Sequence, residues 1–419
     1  MIKAIKGTSD ILPPESKRWS SVEKIAREIL ELYGFAEIRT PIFEATELFA
    51  RGVGEETDIV SKEMYTFDDR DDHSLTLRPE GTAPVVRAAI EHHLLQESQL
   101  LKLYYLGPMF RRERPQKGRY RQFHQIGAEV LGSDNPAIEA EVLEMLDLFL
   151  NRIGLREYNL LVNSIGCSLC RPKYLAVLSE AIQKNADSLC PDCRRRMRTN
   201  PLRVLDCKVE SCQPTIDALP AIADYLDEGC RTHFQKFLSY LQERKIQYKI
   251  VPRLVRGLDY YTRTTFEMTS EALGAQNTLI GGGRYDGLSE MLGGAPSKGF
   301  GFALGLERIL LILDQLQPSF DGYSPLLFLA PLGEAAFERA TELARYFRQQ
   351  ELSCGLDFET RSLKSSMRLA NKIAARYVLI LGDEELRTGR YALKRMSDGF
   401  QQLLVPEEIA AFLKADQRP

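Results

Sequence analysis

The sequence lacks several features that would place it in a specialised class of protein. No uninterrupted apolar run is long enough to cross a bilayer. The first residues, MIKAIKGTSDILPPESKRW, contain no apolar core of a secretory signal and include acids that transit peptides avoid. Positive charge is not in excess, because the formal net charge is -3 at pH 7. We therefore expect a cytoplasmic protein in which any contact with nucleic acid depends on local basic patches.

Standard nucleotide-binding loops are also missing. The sequence contains no G-x-x-x-x-G-K-[ST] loop. GGGRYDG, residues 281–287, has the wrong glycine spacing for a dinucleotide-binding turn. Adjacent glycines let a strand backbone approach a ligand, although a bulge or a turn explains this stretch equally well. No Ser-His-Asp or metal-hydrolase arrangement emerges from the remaining residues.

The length and composition are those of a folded protein with several domains. The 419 residues suffice for roughly two to three domains with substantial cores. Apolar periodicity predicts helices over residues 16–32 and 136–152. Residues 314–326 have the composition of a linker. Beyond them, apolar strands alternate with helices, which predicts a small α/β domain.

Residues 101–132 carry the most informative pattern. Two extended runs flank the polar segment ERPQKG, as in an antiparallel hairpin with a long tip. Alternate residues of a strand share one face. The odd positions hold Arg111, Glu113, Arg119, Arg121, Phe123, Gln125 and Glu129. Such a face suits a planar polyanion, with guanidinium groups for phosphate and a ring for a base, whereas a solvated tip better explains Arg114 and Lys117.

The segment LVRGLDYYTRTTFE, residues 254–267, has a second unusual arrangement of polar groups. Arg256 stands beside Gly257 on a predicted turn, and Asp259, Tyr260 and Tyr261 follow closely. A buried strand would not contain so many polar groups. We therefore interpret this turn as part of a site in which the arginine faces a ligand.

Six of the eight cysteines lie between residues 167 and 212. Cys167-x-x-Cys170 and Cys190-x-x-Cys193 are separated by residues 171–189, a spacing that matches a structural four-thiolate zinc site. Nearby Cys207 and Cys212 make the choice of ligands ambiguous, and the segment could equally hold reduced thiols. The sequence leaves both possibilities open. The surrounding residues, about 167–248, are predicted to be a helical insertion.

A basic stripe is predicted in the last domain. Cations recur at helical spacing, and no acid lies between residues 360 and 382. The stripe consists of Arg361, Lys364, Arg368, Lys372 and Arg376. A solvated face is the usual explanation of a charge run, but a stripe of a single sign favours contact with a phosphate backbone.

Together these segments resemble the class II aminoacyl-tRNA synthetases. FRRERPQKGRYRQFHQIGAEV is similar to their motif 2, GFGFALGLERI to motif 3, and the region around Pro41 to motif 1. LVRGLDYY and GGGRYDGL resemble the two signature stretches of the histidyl-tRNA synthetase family, and LRPEGTA adds a third family element. The resemblance extends from KGTSDILP to the C-terminal domain and so covers almost the whole chain.

The resemblance implies an α+β fold and a specific reaction. We expect a class II catalytic domain with an antiparallel-sheet core over residues 1–320, which includes the helical insertion. A C-terminal α/β anticodon-binding domain would follow over residues 325–419. The implied substrates are L-histidine, ATP with Mg²⁺, and tRNA(His). The enzyme would form histidyl-adenylate and then transfer histidine to the tRNA. The implied assembly is a homodimer through the motif 1 region.

The same resemblance implies how ATP is bound. Arg111 and Arg256 would contact the α-phosphate and act as the catalytic residues. Phe123 and Arg308 would enclose the adenine, and Glu113 would belong to the same site. Each of these residues is carried over from a family motif, not from composition or spacing.

For histidine, the resemblance implies one set of residues at the reacting end and another at the ring. Glu80, Thr82 and Gln125 would hold the ammonium group, and Arg119 would hold the reacting carboxylate. The ring would then be recognised by groups contributed from other segments of the chain.

The implied ring pocket contains a carboxylate and three phenols. Glu129 and Tyr261 would hydrogen-bond the two imidazole nitrogens, while Tyr260 and Tyr285 would complete the pocket. Because an analogue without those nitrogens would leave buried polar groups unpaired, we expect selectivity without a separate editing domain.

Two other functions explain parts of the sequence. A histidine-sensing regulatory subunit of ATP phosphoribosyltransferase would keep the synthetase fold but lose the ATP-facing arginines or the last domain. This chain keeps Arg111, Arg256 and residues 325–419, which favours the enzyme. A plain nucleic-acid-binding protein would explain the basic stripe but not Glu129 and Tyr261.

Overall fold

The computed structural model describes residues 2–55, 57–97, 99–316, 324–359 and 361–416. Its contacts divide the chain into two units. The first unit contains Met1–Asp10 and Trp19–Pro318, and the second contains Ile11–Arg18 and Ser319–Pro419. Part of the predicted linker, residues 317–323, lies outside the described residues. Across the described ranges, no helix combines the length and apolar character that a membrane span requires.

The first unit is built around an eight-stranded sheet. The strands of this unit are β1 (Ala36–Glu37), β2 (Phe43–Ala45), β3 (Tyr65–Asp68), β4 (Ser74–Leu77), β5 (Leu101–Phe110), β6 (Gln122–Leu131), β7 (Asn159–Ser164), β8 (Lys249–Ile250), β9 (Thr262–Thr269), β10 (Thr278–Arg284) and β11 (Gly299–Gly305). The large sheet has the order β1-β5-β6-β11-β10-β9-β7-β8, and β2-β4-β3 form a small sheet. The predicted antiparallel core is confirmed in the centre, while the edge pairs β1–β5 and β7–β8 are parallel.

The helices of the first unit, to which α1 belongs from Trp19 onward, agree with the periodicity of the sequence. They are α1 (Glu15–Leu32), α2 (Thr46–Val53), α3 (Thr82–Glu91), α4 (Leu94–Glu97), α5 (Pro136–Arg152), α6 (Arg171–Lys184), α7 (Pro191–Thr199), α8 (Gln213–Asp217), α9 (Glu228–Glu243), α10 (Leu288–Met291) and α11 (Leu306–Leu316). Helices α1 and α5 confirm the two predicted helices. Their apolar residues Ile29 and Phe149 meet Ile126 and Phe302 on one face of the large sheet.

The predicted hairpin over residues 101–132 is confirmed. Strands β5 and β6 pair in antiparallel register from Leu101 opposite Leu131 to Phe110 opposite Gln122. The expectation that four residues of the charged face belong to the strands is wrong. Because β5 ends at Phe110 and β6 begins at Gln122, the loop between them contains Arg111, Glu113, Arg119 and Arg121. The backbone N–H of Arg121 donates to the Gly7 carbonyl at 2.7 Å. This main-chain bond holds the end of the loop against the N-terminal segment.

The helical insertion is confirmed between β7 and β8. For its cysteines, the structure excludes one of the possibilities that the sequence left open, a single four-thiolate site formed by the two C-x-x-C pairs. Cys167 and Cys170 lie at the start of α6, whereas Cys190 and Cys193 lie beyond its other end. Helix α6 has 14 residues, which correspond to a length of about 21 Å. The two C-x-x-C pairs therefore belong to different clusters and do not form one site.

The second unit contains a five-stranded mixed sheet. Its strands are β12 (Leu327–Pro331), β13 (Cys354–Leu356), β14 (Tyr377–Leu381), β15 (Tyr391–Arg395) and β16 (Gln401–Leu404), and its helices are α12 (Glu334–Gln349), α13 (Leu363–Lys372), α14 (Asp383–Thr388) and α15 (Pro406–Asp416). The strand order is β13-β12-β14-β15-β16. The first three strands are parallel, which confirms the predicted α/β character, and an antiparallel hairpin completes the sheet.

The predicted basic stripe is shorter than the sequence suggested. Helix α13 begins at Leu363 and ends at Lys372, so Arg361 and Arg376 lie outside it. Arg361 pairs with Asp357 at 3.3 Å, and Arg376 pairs with Asp416 at 2.9 Å. The spacing of the outer cations matched a helix, but Arg361 precedes the helix and Arg376 follows it.

Candidate active site

An open pocket of about 910 Å³ lies in the first unit, beside strands β6, β10 and β11. This figure includes the open solvent at the mouth of the pocket. Most of the predicted site residues line it: Glu80, Thr82, Arg111, Glu113, Arg119, Phe123, Gln125, Arg256, Tyr260, Tyr261 and Arg308. Glu129 and Tyr285 are not among the lining residues. The fold thus brings segments separated by more than 100 residues to one cavity.

Arg111 is held at the end of β5 by the main chain. Its Nε donates to the Pro79 carbonyl at 2.9 Å, and its guanidinium lies 5.3 Å from the centre of the Phe123 ring. One face of that ring is therefore close to a cation, an arrangement that stabilises the pair electrostatically. A flat base stacked on Phe123 would use the remaining face.

Arg256 reaches the pocket from the loop before β9. Its guanidinium forms an ion pair with Glu267 and lies 6.0 Å from the Tyr261 ring. Gly281 on β10 makes this approach possible, because a Cβ at that position would overlap the guanidinium. Burial lowers the pKa of Arg256, but the charges of Glu267 and Tyr261 more than offset this effect and leave its pKa raised. The side chain is therefore a fixed cation.

Two further arginines surround the same space. The Nε of Arg308 donates to the Gly118 carbonyl at 3.1 Å, and its Nη1 donates to the Thr278 carbonyl at 2.7 Å. Arg119 pairs with Glu113 at 3.0 Å. Four guanidinium groups in one pocket repel one another, so the arrangement favours a polyanionic ligand.

Glu80 lies two residues before helix α3 and also faces the pocket. Its carboxylate accepts the backbone N–H groups of Thr82 and Ala83, both at 2.8 Å. The Tyr260 hydroxyl donates to it at 3.4 Å. Burial raises the pKa of Glu80, although the bonds from Ala83 and Thr82 oppose this effect. The carboxylate thus caps the helix and retains lone pairs that can accept a cationic group.

Glu129 is completely buried behind the pocket wall. It accepts hydrogen bonds from the Thr82 hydroxyl at 2.7 Å and from the Tyr285 hydroxyl at 2.5 Å. Burial raises the pKa of Glu129 to about 8, and the bonds from Tyr285 and Thr82 limit the rise. Gly301 leaves room for the carboxylate, because a Cβ there would overlap Glu129 Oε2. Buried carboxyl groups with a strongly shifted pKa are common at functional sites.

Several buried polar atoms of the pocket have no hydrogen-bond partner among the described residues. They include Gln125 Oε1, Arg119 Nε and Arg256 Nε. Buried polar atoms in native proteins are almost always paired, and exceptions are commonly found where a ligand, ion or water binds. The acceptor could bind an ammonium group of a ligand, and the two arginine donors could bind an adjacent anionic group.

Comparisons with known proteins agree with this geometry. The family profile for histidyl-tRNA synthetase matches residues 7–309, and the profile for an anticodon binding domain matches residues 327–416. The chain is 57% identical over 417 residues to the histidine–tRNA ligase of Solibacter usitatus, covering 99% of both chains. The chain belongs to the histidyl-tRNA synthetase family. It is therefore an enzyme, a ligase of the class II aminoacyl-tRNA synthetases.

Other members of the histidyl-tRNA synthetase family also match this chain over almost its full length. The histidine–tRNA ligase of Geobacter sulfurreducens is 50% identical over 413 residues, covering 98% of this chain and 99% of that protein. The solved structure of apo Staphylococcus aureus histidyl-tRNA synthetase has a TM-score of 0.83 and 37% identity, covering 99% of this chain and 100% of that chain. Matches of this kind over both units favour the ligase over the regulatory-subunit alternative.

Some residues around this synthetase pocket were not predicted. Glu267 holds Arg256, Glu307 lines the pocket, and the Tyr105 hydroxyl lies 3.5 Å from Glu129 Oε1. The sequence contains a signal for two of them. Glu267 is the only acid in β9, and Tyr105 stands opposite Gly127 in the hairpin register, where a missing side chain leaves room for its ring.

Proposed function

We propose that this pocket activates L-histidine with ATP and that the same protein then transfers histidine to tRNA(His). A carboxylate oxygen of histidine attacks the α-phosphorus, and the bond to the pyrophosphate oxygen breaks. The products are histidyl-adenylate and pyrophosphate. In the second step, a hydroxyl of the terminal tRNA ribose attacks the carbonyl carbon, and AMP leaves. The observation that carries the proposal is the convergence of Arg111 and Arg256 on one cavity.

The first step brings two anions together, so its barrier is largely electrostatic. Fixed cations aimed at the developing negative charge lower such a barrier without reorganisation during the reaction. Arg111 is oriented by the Pro79 carbonyl, and Arg256 is oriented by Glu267. We assign both arginines to the α-phosphate as the catalytic residues. Their separate attachments allow them to approach one phosphorus from different directions.

For the rest of ATP, we assign the adenine to the space between Phe123 and Arg308. The ring of Phe123 can stack on a base, and the planar Arg308 guanidinium can cover the opposite face. Glu113 lies beside this space and pairs with Arg119 at 3.0 Å. Its carboxylate therefore limits the repulsion between the phosphate-binding arginines.

Mg²⁺ is the metal ion expected with the triphosphate. Glu113 and Glu307 line the pocket and provide carboxylate oxygens. Mg²⁺ prefers oxygen ligands and is often held by one or two carboxylates together with substrate phosphates, so these residues fit it. When bound, Mg²⁺ neutralises negative charge on the leaving phosphates.

We assign the reacting end of histidine to Glu80, Thr82, Gln125 and Arg119. The unpartnered Gln125 Oε1 and the buried Glu80 carboxylate can accept N–H donors from an ammonium group. The unpartnered Nε of Arg119 can donate to the carboxylate. Binding the ammonium and the carboxylate of histidine at the same time orients the attacking oxygen. The reactants are then held in the right geometry, which lowers the entropic cost of the reaction.

We assign the imidazole to Glu129 and Tyr261, with Tyr260 and Tyr285 closing the pocket. The three tyrosine rings form one cluster, in which Tyr260 lies 4.7 Å from Tyr261 and 5.7 Å from Tyr285 between ring centres. These rings exclude water and strengthen the polar contacts of the buried carboxylate. An amino acid without a ring nitrogen would leave the buried carboxylate unpaired, and this cost disfavours its binding.

The two units correspond to two tasks on the same tRNA. We assign residues 1–320 to catalysis and residues 325–419 to anticodon binding, with the insertion at about 167–248 inside the catalytic domain. Helix α13 presents Lys364, Arg368 and Lys372, which suit phosphate contacts. We further assign the enzyme to the cytoplasm, where ATP and tRNA are available.

A pyrophosphate exchange assay tests the proposed first step. The protein should incorporate labelled pyrophosphate into ATP when L-histidine and Mg²⁺ are present, and omission of histidine should abolish the signal. Phenylalanine is the matched control, since it has the same backbone groups but no ring nitrogens. Folded protein that gives no histidine-dependent exchange would leave the non-catalytic histidine sensor as the remaining explanation.

We also propose that the protein is a homodimer that uses the small sheet β2-β4-β3. Phe43 and Phe67 lie on the same face of this sheet, opposite Leu77 and Leu75. They remain 54% and 45% exposed. An apolar sheet face of this kind is normally covered, and the motif 1 region implies a second copy as the partner.

Light scattering after size exclusion tests the dimer. Wild-type protein should have twice the mass of the chain, and Phe43→Glu should shift the distribution towards monomer because it places a charge in the apolar interface. Phe400→Glu is the matched control, since Phe400 is 41% exposed in the second unit. A wild-type monomer at micromolar concentration would contradict the proposal.

A further inference from the structure

We propose that the helical insertion binds two structural zinc ions in two separate four-residue sites. The four-cysteine site consists of Cys190, Cys193, Cys207 and Cys212, and the mixed site consists of Cys167, Cys170, Asp227 and Cys230. Within each site, one donor atom per residue lies within 4.8 Å of all the others. Neither site belongs to the reaction pocket, and the proposed aminoacylation chemistry does not use them.

In the four-cysteine site, the sulfur atoms are arranged as metal ligands. Cys190 Sγ and Cys207 Sγ are 3.9 Å apart. A tetrahedron with zinc–sulfur bonds of about 2.3 Å has edges of about 3.8 Å. Cys193 and Cys212 are completely buried, and Cys190 precedes helix α7. The separation is too long for a disulfide, whose sulfurs are about 2.05 Å apart.

Backbone N–H groups point at the sulfurs of the four-cysteine site. The N–H of Cys190 donates to Cys212 Sγ at 3.2 Å, that of Val209 to Cys207 Sγ at 3.4 Å, and that of Cys193 to Cys190 Sγ at 3.5 Å. Hydrogen bonds to sulfur stabilise the thiolate, which is the form that binds metals. Inert reduced thiols in an apolar core do not require such donors.

The mixed site has the same geometry with one carboxylate. Cys170 Sγ lies 3.8 Å from both Cys167 Sγ and Cys230 Sγ. Asp227 Oδ1 accepts the Cys230 N–H at 2.7 Å, which caps helix α9. Its other oxygen, Oδ2, lies 3.0 Å from Cys167 Sγ, a position that capping does not require. Three thiolates and one carboxylate are a suitable ligand set for zinc.

Zinc is the metal that best fits both sites. Thiolate-rich tetrahedral sites select zinc over the hard cations Mg²⁺ and Ca²⁺. Four protein ligands leave no open coordination position, so the metals would be structural and not catalytic. The insertion contains many short helices and turns, and metal binding is a common means of stabilising such segments.

The two sites lie next to the side chains that hold the loop of Arg256 and Tyr261. Arg171 follows Cys170 directly, and its Nη2 donates to the Tyr261 carbonyl at 2.7 Å. Arg203, close in sequence to Cys207, donates from Nη1 to the Arg256 carbonyl at 3.2 Å. Each zinc ion would therefore fix one of two attachments of this loop. This functional consequence rests on the proposed function, whereas metal binding does not.

Elemental analysis of purified protein tests the two sites without any activity measurement. Zinc-supplemented expression followed by gel filtration should yield about two zinc ions per chain. Cys212→Ser and Cys230→Ser should each reduce the content to about one, and the double variant should contain almost none. Cys354→Ser is the matched control and should keep both ions, because Cys354 is a buried cysteine on β13 outside the two sites.

Asp227→Asn separates metal binding from helix capping. Asparagine still caps a helix but is a much poorer zinc ligand than aspartate. The variant should therefore keep its helical content and lose about one zinc ion. Retention of both ions would remove Asp227 from the ligand set and overturn the mixed site.

Wild-type protein provides a test that does not depend on the folding of variants. Stepwise modification of its thiols with a mercurial should release about two zinc ions to a colorimetric chelator. Release of one ion would overturn one of the two sites. Absence of zinc together with eight reactive thiols in denaturant would overturn both and would identify the clusters as reduced cysteines. None of these outcomes depends on whether histidine is activated.

Discussion

Arg256→Ala should lower the rate of histidine-dependent pyrophosphate exchange by about 10²- to 10³-fold, the typical cost of losing one preorganised group that stabilises transition-state charge. The loss should appear mainly in kcat, because the charge develops at the α-phosphorus during attack. Binding of tRNA should remain nearly intact, since the arginine is only partly exposed and lies in the pocket of the first unit. Exchange kinetics and a filter-binding assay measure the two effects separately.

Arg253→Ala is the matched control for this variant. Arg253 lies on the same loop but is exposed and pairs with Asp217 at 2.7 Å on the surface. Surface ion pairs contribute little, so exchange should remain close to wild type. An equal loss of exchange and tRNA binding in Arg256→Ala would contradict the assignment, because it would indicate general unfolding and not a lost catalytic charge.

Glu129→Gln should lower kcat/KM for histidine by about 10²-fold, because the amide leaves one nitrogen of the buried imidazole poorly paired, and an unpaired buried polar group costs about 1–3 kcal/mol. The KM for ATP should change little, because Glu129 contacts Thr82 and Tyr285 and does not line the pocket near Phe123 and Arg308. Exchange assays with histidine and ATP varied separately measure both values. Wild-type histidine kinetics in this variant would remove Glu129 from the imidazole site.

The same substitution should stabilise the folded protein in a pH-dependent manner. The pKa of Glu129 is raised to about 8 by burial, so the folded state binds a proton that the unfolded state has already released. Stability from this group therefore declines as the pH rises from about 4.5, the ordinary carboxyl value, to about 8. Glu129→Gln lacks this decline. Its Tm advantage over wild type should increase across that window and then remain constant.

Thermal melts of Glu290→Gln provide the comparison for this effect. Glu290 is an exposed glutamate of the same unit, so its substitution should not reproduce the pH-dependent difference. If Glu129→Gln melted at a lower temperature than wild type at every pH, the carboxyl would be a net stabilising group, and the expected pH-dependent gain in stability would be wrong.

Local patterns predicted the elements of this protein well where one short segment contains the whole signal. The hairpin over residues 101–132 could be predicted because strand alternation repeats every two residues, and β5 and β6 confirm it. Helices α1 and α5 follow from apolar periodicity in the same way. The basic stripe was extended too far, since helical spacing persists in the sequence after α13 has ended.

The candidate site was predictable as a set of residues but not as a set of contacts. The motifs indicated Arg111, Arg256 and Glu129, whereas the ion pair between Arg256 and Glu267 became visible only in the pairing of β9 with β10. A contact between two segments depends on register and on side-chain space, such as the space that Gly281 leaves for the guanidinium. The spacing of residues along the sequence gives neither the strand register nor the space around a side chain.

The cysteines show most clearly which features the sequence determined and which features only the tertiary structure determined. The sequence by itself established two C-x-x-C pairs in a helical segment and the hairpin of β5 and β6, because both are properties of neighbouring residues. Only the tertiary structure assigned Cys207 and Cys212 to one pair and Asp227 and Cys230 to the other. Helix α6 is rigid and holds the two pairs apart, so spacing alone could not identify the ligands that complete each site.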